Sequence, residues 1–201
     1  MSPADESWRL FIAIELPSNV RRTLADHIQH LREAVPEVSA SWAREDKLHL
    51  TLKFLGDTKL TRIEAVSQAI QSAATAVDPF EINIESCGAF PPHGPPRVLW
   101  IGVEDPSGQL ASLHRELEDE CEGVGFAHEP RPFRPHLTIA RIRNPRGARR
   151  LVQVHKEISF DRETVLVSHL ALIRSELRSA GSRHTVIACL PFSSNSEREV
   201  G

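Results

Sequence analysis

Cysteine is scarce in this sequence, and tyrosine is missing altogether. The three cysteines, Cys87, Cys121 and Cys189, are odd in number, far apart and free of any Cys-x-x-Cys pair. This spacing argues against a disulfide framework and against a zinc site built mainly from thiolates. We therefore expect reduced cysteines in a reducing compartment, for which the cytoplasm is the default.

Long apolar runs are missing as well. No stretch approaches the roughly 20 apolar residues of a membrane-spanning helix, so no membrane partner is expected. Residues 1–7 are polar and acidic, unlike a secretory signal peptide. The formal net charge of -3 gives no reason to expect a protein that coats polyanions. Nothing in the composition demands more than a monomer.

The 201 residues, of which 40% are hydrophobic, are enough to bury a substantial core. Apolar residues at helical spacing predict three helices, which begin near Asn19, Ile63 and Pro106. About eight strands accompany the helices without regular alternation. This mixture predicts an α+β protein rather than an alternating parallel sheet.

The same patterns predict where the domain begins and ends. We expect one bilobal domain over residues 8–192, with flexible ends over 1–7 and 193–201. Within the domain, residues 144–150 are predicted to form a basic loop, and residues 164–174 a single strand. The arginines in and around the loop either line a groove for an RNA backbone or lie on a solvated surface.

One strand pattern occurs twice. In residues 47–56 (KLHLTLKFLG) apolar and polar residues alternate, which predicts a half-buried strand with His49 and Thr51 side by side on its polar face. The same arrangement returns once, with His136 and Thr138. From the numbers of histidines and threonines, roughly 0.05 to 0.1 chance copies are expected, so two copies indicate a shared function.

Paired histidines and threonines suit acid–base chemistry at phosphorus. A neutral imidazole accepts a proton from a nucleophile, and a protonated imidazole donates one to a leaving oxygen. The threonine hydroxyls can donate hydrogen bonds to the non-bridging phosphate oxygens, where charge builds up. Such a site needs no metal and no other cofactor. The residues alone do not decide which histidine is the acid.

Two such motifs in an α+β chain of this length resemble the 2H phosphoesterase superfamily, and most of all its bacterial and archaeal RNA 2′,3′-cyclic phosphodiesterases, historically called 2′-5′ RNA ligases. Four blocks carry the resemblance, in the order 10–17 (LFIAIELP), 48–56 (LHLTLKFLG), 97–102 (RVLWIG) and 133–141 (FRPHLTIAR). It implies a bilobal fold with a pseudo-twofold axis, in which two antiparallel sheets with outer helices surround a central cleft.

The resemblance also implies an activity, the hydrolysis of RNA or nucleoside 2′,3′-cyclic phosphates to 2′-phosphates. RNA ends or nucleotides that carry such a phosphate would then be the partners. By the same resemblance, His49 would be the proton donor and His136 the proton acceptor. Thr51, Thr138 and Arg141 would bind the phosphate.

Three alternatives stay open. A 2′-5′ ligase or 2′-5′ phosphodiesterase would use the same site, and an RNA-end-binding module would use it without turnover. A histidine-based metallohydrolase would need a ligand spacing such as His-Glu-x-x-His, which is missing from the sequence.

Four aromatic side chains are candidates for stacking on a base, namely Trp42, Phe90, Phe133 and Trp100. Trp42 is the best candidate for stacking, whereas Trp100 is expected in the core because it lies in an apolar strand. The family commonly has a tyrosine or a similar aromatic residue after a Gly-x-x segment in its last hairpin, where this chain has His184. That departure leaves the base-binding side of the site undecided. His27 lies among polar residues and is expected to face solvent.

Overall fold

The computed structural model describes residues 6–178 and 181–193. In this part of the chain there are four α-helices: α1 (Ser18–Ala34), α2 (Ile63–Thr75), α3 (Gln109–Gly123) and α4 (Ala148–Ile158). Each helix has an apolar face directed into the core. Within the described residues, no helix combines the length and the apolar character needed to cross a membrane.

The described residues contain nine strands, which form two antiparallel sheets. The four-stranded sheet has the order β3-β1-β8-β9, with β1 (Ser7–Glu15), β3 (His49–Lys59), β8 (His169–Arg178) and β9 (Gly181–Pro191). The five-stranded sheet has the order β2-β6-β5-β4-β7, with β2 (Ala40–Trp42), β4 (Phe80–Phe90), β5 (Val98–Glu104), β6 (His136–Ile142) and β7 (Glu163–Val167). The predicted α+β class with two antiparallel sheets is confirmed.

The helices cover the outer face of each sheet and leave a cleft between the sheets. Helix α2 contacts β8 and β9 of the four-stranded sheet, and α3 packs against α2. Helix α4 contacts β4 of the five-stranded sheet, and α1 packs against α4. Strands β3 and β6 also contact each other, which brings the two sequence motifs to one place.

Two local predictions are wrong. Helix α4 begins at Ala148, inside the predicted basic loop, because Ala148, Leu151 and His155 form a buried stripe at helical spacing. The predicted single strand over 164–174 is broken at Ser168 into β7 and β8, which belong to different sheets.

The ends of the domain differ slightly from the predicted bounds. Strand β1 begins at Ser7, one residue after Glu6, the first described residue. Phe192 is buried at the other end of the domain. The remainder of the predicted flexible ends, 1–5 and 194–201, lies outside the described residues.

A register shift in β3 reverses the faces of two predicted positions. The pairing with β1 moves from Ala13–Thr51 to Ile12–Lys53, so Leu52 is an extra residue in β3. Strict alternation would place Lys53 on the polar face beside Thr51 and would bury Phe54. Instead Lys53 is only 4% exposed, and Phe54 is 66% exposed.

Candidate active site

A cleft of about 930 Å³ lies between the two sheets. All five site residues that the sequence predicted line it, namely His49, Thr51, His136, Thr138 and Arg141. The first two come from β3 and the other three from β6. Because β3 and β6 contact each other, residues 87 positions apart in the chain face one cavity.

His49 is the first residue of β3 and lies against aromatic rings. Its ring stacks on Phe11, with 4.8 Å between the centroids, and meets the His184 ring edge-on at 5.4 Å. Phe11 also contacts His184, at 5.1 Å. His184 therefore lies beside the motif histidine of β3 and shares the Phe11 ring with it.

The surroundings of His49 favour its neutral form. Burial is the main cause that lowers the pKa of His49 to about 4, and the neighbouring His184 lowers it further. A hydrogen bond to the Lys47 carbonyl acts in the opposite direction. In the ligand-free protein at neutral pH, His49 is therefore an uncharged imidazole.

A backbone contact sets the tautomer of His136. Its Nδ1 lies 2.7 Å from the carbonyl oxygen of Arg134. Because a carbonyl can only accept a hydrogen bond, Nδ1 carries the proton, and Nε2 of the neutral ring keeps its lone pair. The carbonyl partner lies two residues before His136, just as Lys47 lies two residues before His49.

Two aromatic residues support the His136 ring. Phe90 meets it edge-on at 5.1 Å and packs on Trp100 at 5.3 Å. Trp100 lies over Gly88, where an added Cβ would overlap the indole ring. The expectation that Trp100 belongs to the core is wrong. It is half-buried and faces the cleft side of the sheet, because it pairs with Thr138 in β6.

Hydroxyls and cations in the cleft are available to an anion. Thr51 and Thr138 are half-buried, and their hydroxyls make no hydrogen bond to the residues that the structure describes. Six basic side chains also line the cleft: Arg9, Lys47, Lys53, Arg131, Arg134 and Arg141. Lys53 is paired with Glu118, and Arg131 with Glu129. The other four have no acidic partner within the described chain, so the cleft suits a phosphate.

Phe54 lines the cleft although the sequence did not predict it, because its position depends on the register shift in β3. Phe133, one of the aromatic candidates for base stacking, also lines the cleft and stacks on His114 at 3.8 Å. The described residues include no group of three metal-ligating side chains within the cleft.

Other predicted contacts are not at the cleft. Trp42 lies in a separate groove with Gln29 and Arg32 from α1, so it does not face the motif histidines. The exposed arginines around the predicted basic loop do not line the cleft either: Arg143, Arg146, Arg149 and Arg150. The structure therefore gives no support to stacking by Trp42 or to an RNA groove along these arginines.

Comparisons with known proteins agree with this geometry. The sequence profile of the 2′-5′ RNA ligase superfamily matches residues 20–178. A protein of Methanothermobacter thermautotrophicus named RNA 2′,3′-cyclic phosphodiesterase is 32% identical over 180 residues, which cover 88% of this chain and 95% of the relative. An Escherichia coli protein of the same name is 31% identical over 137 residues, covering 68% and 73%.

Solved structures share the fold. TT0787 of Thermus thermophilus superposes with a TM-score of 0.74 at 26% identity, covering 91% of this chain and 97% of that one. The Escherichia coli LigT structure in complex with 3′-AMP superposes with a TM-score of 0.66 at 23% identity, covering 94% and all of that chain (100%). The similarity therefore extends over both sheets and the cleft between them.

Proposed function

The chain belongs to the 2′-5′ RNA ligase superfamily, and we propose that it hydrolyses RNA or nucleoside 2′,3′-cyclic phosphates to 2′-phosphates by metal-independent acid–base catalysis. The observation that carries the proposal is the meeting of the two His-x-Thr strands at one cleft. The predicted family is confirmed, and relatives that cover most of the chain are named for this activity. The roles of individual residues below are our proposal.

His136 is assigned as the general base. Its Nδ1 proton is held by the Arg134 carbonyl, which leaves Nε2 free to accept a proton from water. The water oxygen then bonds to phosphorus while the bond between phosphorus and the 3′-oxygen breaks. Contacts from Phe90 limit the ring to a narrow range of orientations.

His49 is assigned as the general acid that protonates the departing 3′-oxygen. The low pKa of His49 in the ligand-free protein opposes this role, because a general acid must carry its proton before the reaction. A cyclic phosphodiester brings one negative charge into the cleft, and a nearby negative charge favours the imidazolium form. Substrate binding would thus raise the pKa of His49 at the step that needs the proton.

The remaining groups stabilise charge on the phosphate. Thr51 and Thr138 can each donate a hydrogen bond to a non-bridging oxygen. Arg141 adds a charge-assisted hydrogen bond, and Lys47 and Arg134, which have no acidic partner in the described chain, add positive charge. In a cleft partly shielded from water these contacts are stronger than on an open surface.

Ligation is the second candidate, since the superfamily itself is described by 2′-5′ RNA ligase activity. By microscopic reversibility, a 5′-hydroxyl could replace water as the nucleophile at the same two histidines. Water is present in large excess, so hydrolysis is the expected net reaction. Supplying a second RNA with a 5′-hydroxyl end would reveal joined product.

Product analysis tests the proposal directly. A short RNA with a 2′,3′-cyclic phosphate end is incubated with the protein in excess EDTA, with the His49→Ala/His136→Ala double variant as control. The expected product is a 2′-phosphate, formed by the natural protein only. Formation of a 3′-phosphate, loss of activity with EDTA, or RNA binding without turnover would each contradict the proposed reaction.

A further inference from the structure

Three side chains with metal-ligating atoms meet outside the cleft, on the helix-covered face of the five-stranded sheet. They are His27 of α1, Cys87 of β4 and His155 of α4, and their ligand atoms lie within 4.8 Å of one another. His155 is fully buried and His27 is 6% exposed. The expectation that His27 faces solvent is therefore wrong.

A bulge in β4 brings Cys87 to this face. The pairing with β5 shifts from Glu85–Gly102 to Cys87–Ile101, and the extra residue, Ser86, has a φ of 66°. Cys87 thus lies on the same face as Ile101, which is buried in the core. Without the extra residue, Cys87 would point to the opposite face, toward the cleft.

The hydrogen bonds of His155 orient a lone pair toward His27. Nε2 of His155 donates to the Trp100 carbonyl at 2.9 Å, so Nδ1 of the neutral ring is unprotonated. That Nδ1 lies 3.0 Å from Nε2 of His27. A histidine whose second nitrogen is held by a backbone carbonyl is the usual arrangement of a metal ligand.

We propose that this cluster binds one Zn²⁺ ion through Nε2 of His27, Nδ1 of His155 and the Cys87 thiolate, with water as the fourth ligand. Zinc–nitrogen bonds of about 2.0–2.1 Å and a zinc–sulfur bond of about 2.3 Å place tetrahedral ligand atoms roughly 3.3–3.6 Å apart. The observed separations need only small side-chain movements to reach these values.

Binding is balanced by the loss of one proton. Burial raises the pKa of the Cys87 thiol to about 11, so the thiol is protonated until a metal replaces its proton. His27 moves its proton from Nε2 to Nδ1 and stays neutral, which agrees with its lowered pKa of about 4. Zinc affinity should therefore increase with pH.

The site would join three elements, of which α1 and α4 are already linked by the His27–His155 hydrogen bond. It would tie α1 and α4 to β4, and the His155 bond to Trp100 would connect it to the strand beside β6. The proposal does not depend on the phosphodiesterase activity. The three ligands are 60 and 68 residues apart in the chain (87 − 27 and 155 − 87), so the spacing of the cysteines in the sequence gives no sign of this site.

Titration of the metal-free protein with Co²⁺ tests the site. A thiolate ligand produces a charge-transfer absorption in the near ultraviolet, and tetrahedral Co²⁺ has strong visible bands. We expect one equivalent of Co²⁺ to give both signals and one equivalent of Zn²⁺ to remove them. Cys87→Ser should abolish the charge-transfer band, and His27→Gln should weaken binding at least about tenfold.

Two control variants keep the test specific. Cys189→Ser and His93→Gln remove an exposed cysteine and an exposed histidine away from the cluster, and both should bind Co²⁺ like the natural protein. Circular dichroism checks that each variant is folded. If Cys87→Ser does not fold, the weaker Co²⁺ binding of His27→Gln tests the site. No equimolar binding, an unchanged spectrum in Cys87→Ser, or loss of binding only in a His49→Ala/His136→Ala variant would overturn the proposal and leave a hydrogen-bonded histidine pair.

Discussion

Lys53 Nζ lies 2.5 Å from Glu118 Oε2, and both side chains are almost fully buried. Lys53 also donates to the Ala127 carbonyl at 2.8 Å, and the same oxygen of Glu118 accepts the backbone N–H of Glu129 at 3.0 Å. The pair thus joins β3, which carries one motif, to the segment that leads into the other motif at His136. Its position makes it part of the support for both halves of the site.

Removing one partner of this pair should destabilise the protein strongly. Glu118→Gln leaves the Lys53 ammonium buried without its counter-charge, and we expect a loss of about 3–5 kcal/mol in the free energy of unfolding. Lys53→Met/Glu118→Leu should lose much less, because both charges are removed together. Urea unfolding measures each variant, with Lys59→Met as a control on the exposed end of β3. Single variants that cost below about 1 kcal/mol would show that the pair is not important for stability.

Each motif histidine should be essential for turnover. We expect His49→Ala and His136→Ala each to lower kcat for a 2′,3′-cyclic nucleotide by about 10²–10⁴-fold, the usual contribution of a general acid or base. Binding of the product nucleotide should remain measurable by calorimetry. His93→Ala is the matched control, because His93 is exposed and does not line the cleft. Near-normal turnover in either motif variant would disprove its role.

Replacing His184 should change the protonation of His49. The positive charge that His184 acquires on protonation is the second cause of the lowered pKa of His49, after burial. In His184→Asn we therefore expect that pKa to rise above about 4 while staying below the ordinary value of 6.5. NMR titration of the imidazole signals measures the pKa of His49, with His30→Asn as the control.

Inorganic phosphate should raise the pKa of His49 in the natural protein. A pKa of His49 that phosphate leaves unchanged would count against its role as the acid.

Stability should decrease in acid. The pKa values of five histidines are lowered by burial: His27, His49, His114, His155 and His184. Between pH 6.5 and about 4 the unfolded chain binds more protons than the folded chain, so the free energy of unfolding falls as pH falls. For His27 the loss is of the order of 1–3 kcal/mol. Urea unfolding at about pH 7 and about pH 4.5, with EDTA present, measures it.

A variant at His27 distinguishes this effect from general acid denaturation. His27→Asn removes one of the groups that must become protonated on unfolding. The difference in stability between about pH 7 and about pH 4.5 should therefore be smaller in His27→Asn than in the natural protein. Equal differences in the two proteins would show that His27 keeps an ordinary pKa in the fold.

Gly88 should be needed for the support of His136. A Cβ at Gly88 would overlap the Trp100 ring, which packs on Phe90. Gly88→Ala should cost about 1–3 kcal/mol of stability and should also lower kcat, because Phe90 contacts His136. Gly123→Ala is the matched control, since its Cβ would meet nothing within 4 Å. Unchanged turnover in a folded Gly88→Ala variant would show that the packing of Trp100 on Phe90 does not affect His136.

Local patterns in the sequence were sufficient to predict the two motif strands. Alternation of apolar and polar residues follows from the two faces of a strand, so it is visible without any knowledge of the fold. The repetition of His-x-Thr then pointed to one shared site. All five predicted site residues line the cleft, and their individual roles stay predictions.

Positions whose environment depends on strand register could not be predicted in this way. The extra residue Leu52 places Lys53 next to Glu118 and exposes Phe54. A register shift depends on the hydrogen bonds of the partner strand, and these are not encoded in the spacing of the strand itself. The fourth helix was not predicted for a different reason. Its buried stripe is short, and arginines stand between the residues that form it.

The α+β class, the family and the two His-x-Thr strands follow from local sequence patterns, because they depend on short-range periodicity and on motifs in a fixed order. The neighbours of each histidine depend instead on how the sheets and helices pack. His184 and Phe11 come to His49, Phe90 comes to His136, and Cys87 meets a buried pair of histidines. Such contacts join residues far apart in the chain, since packing of the sheets and helices selects them.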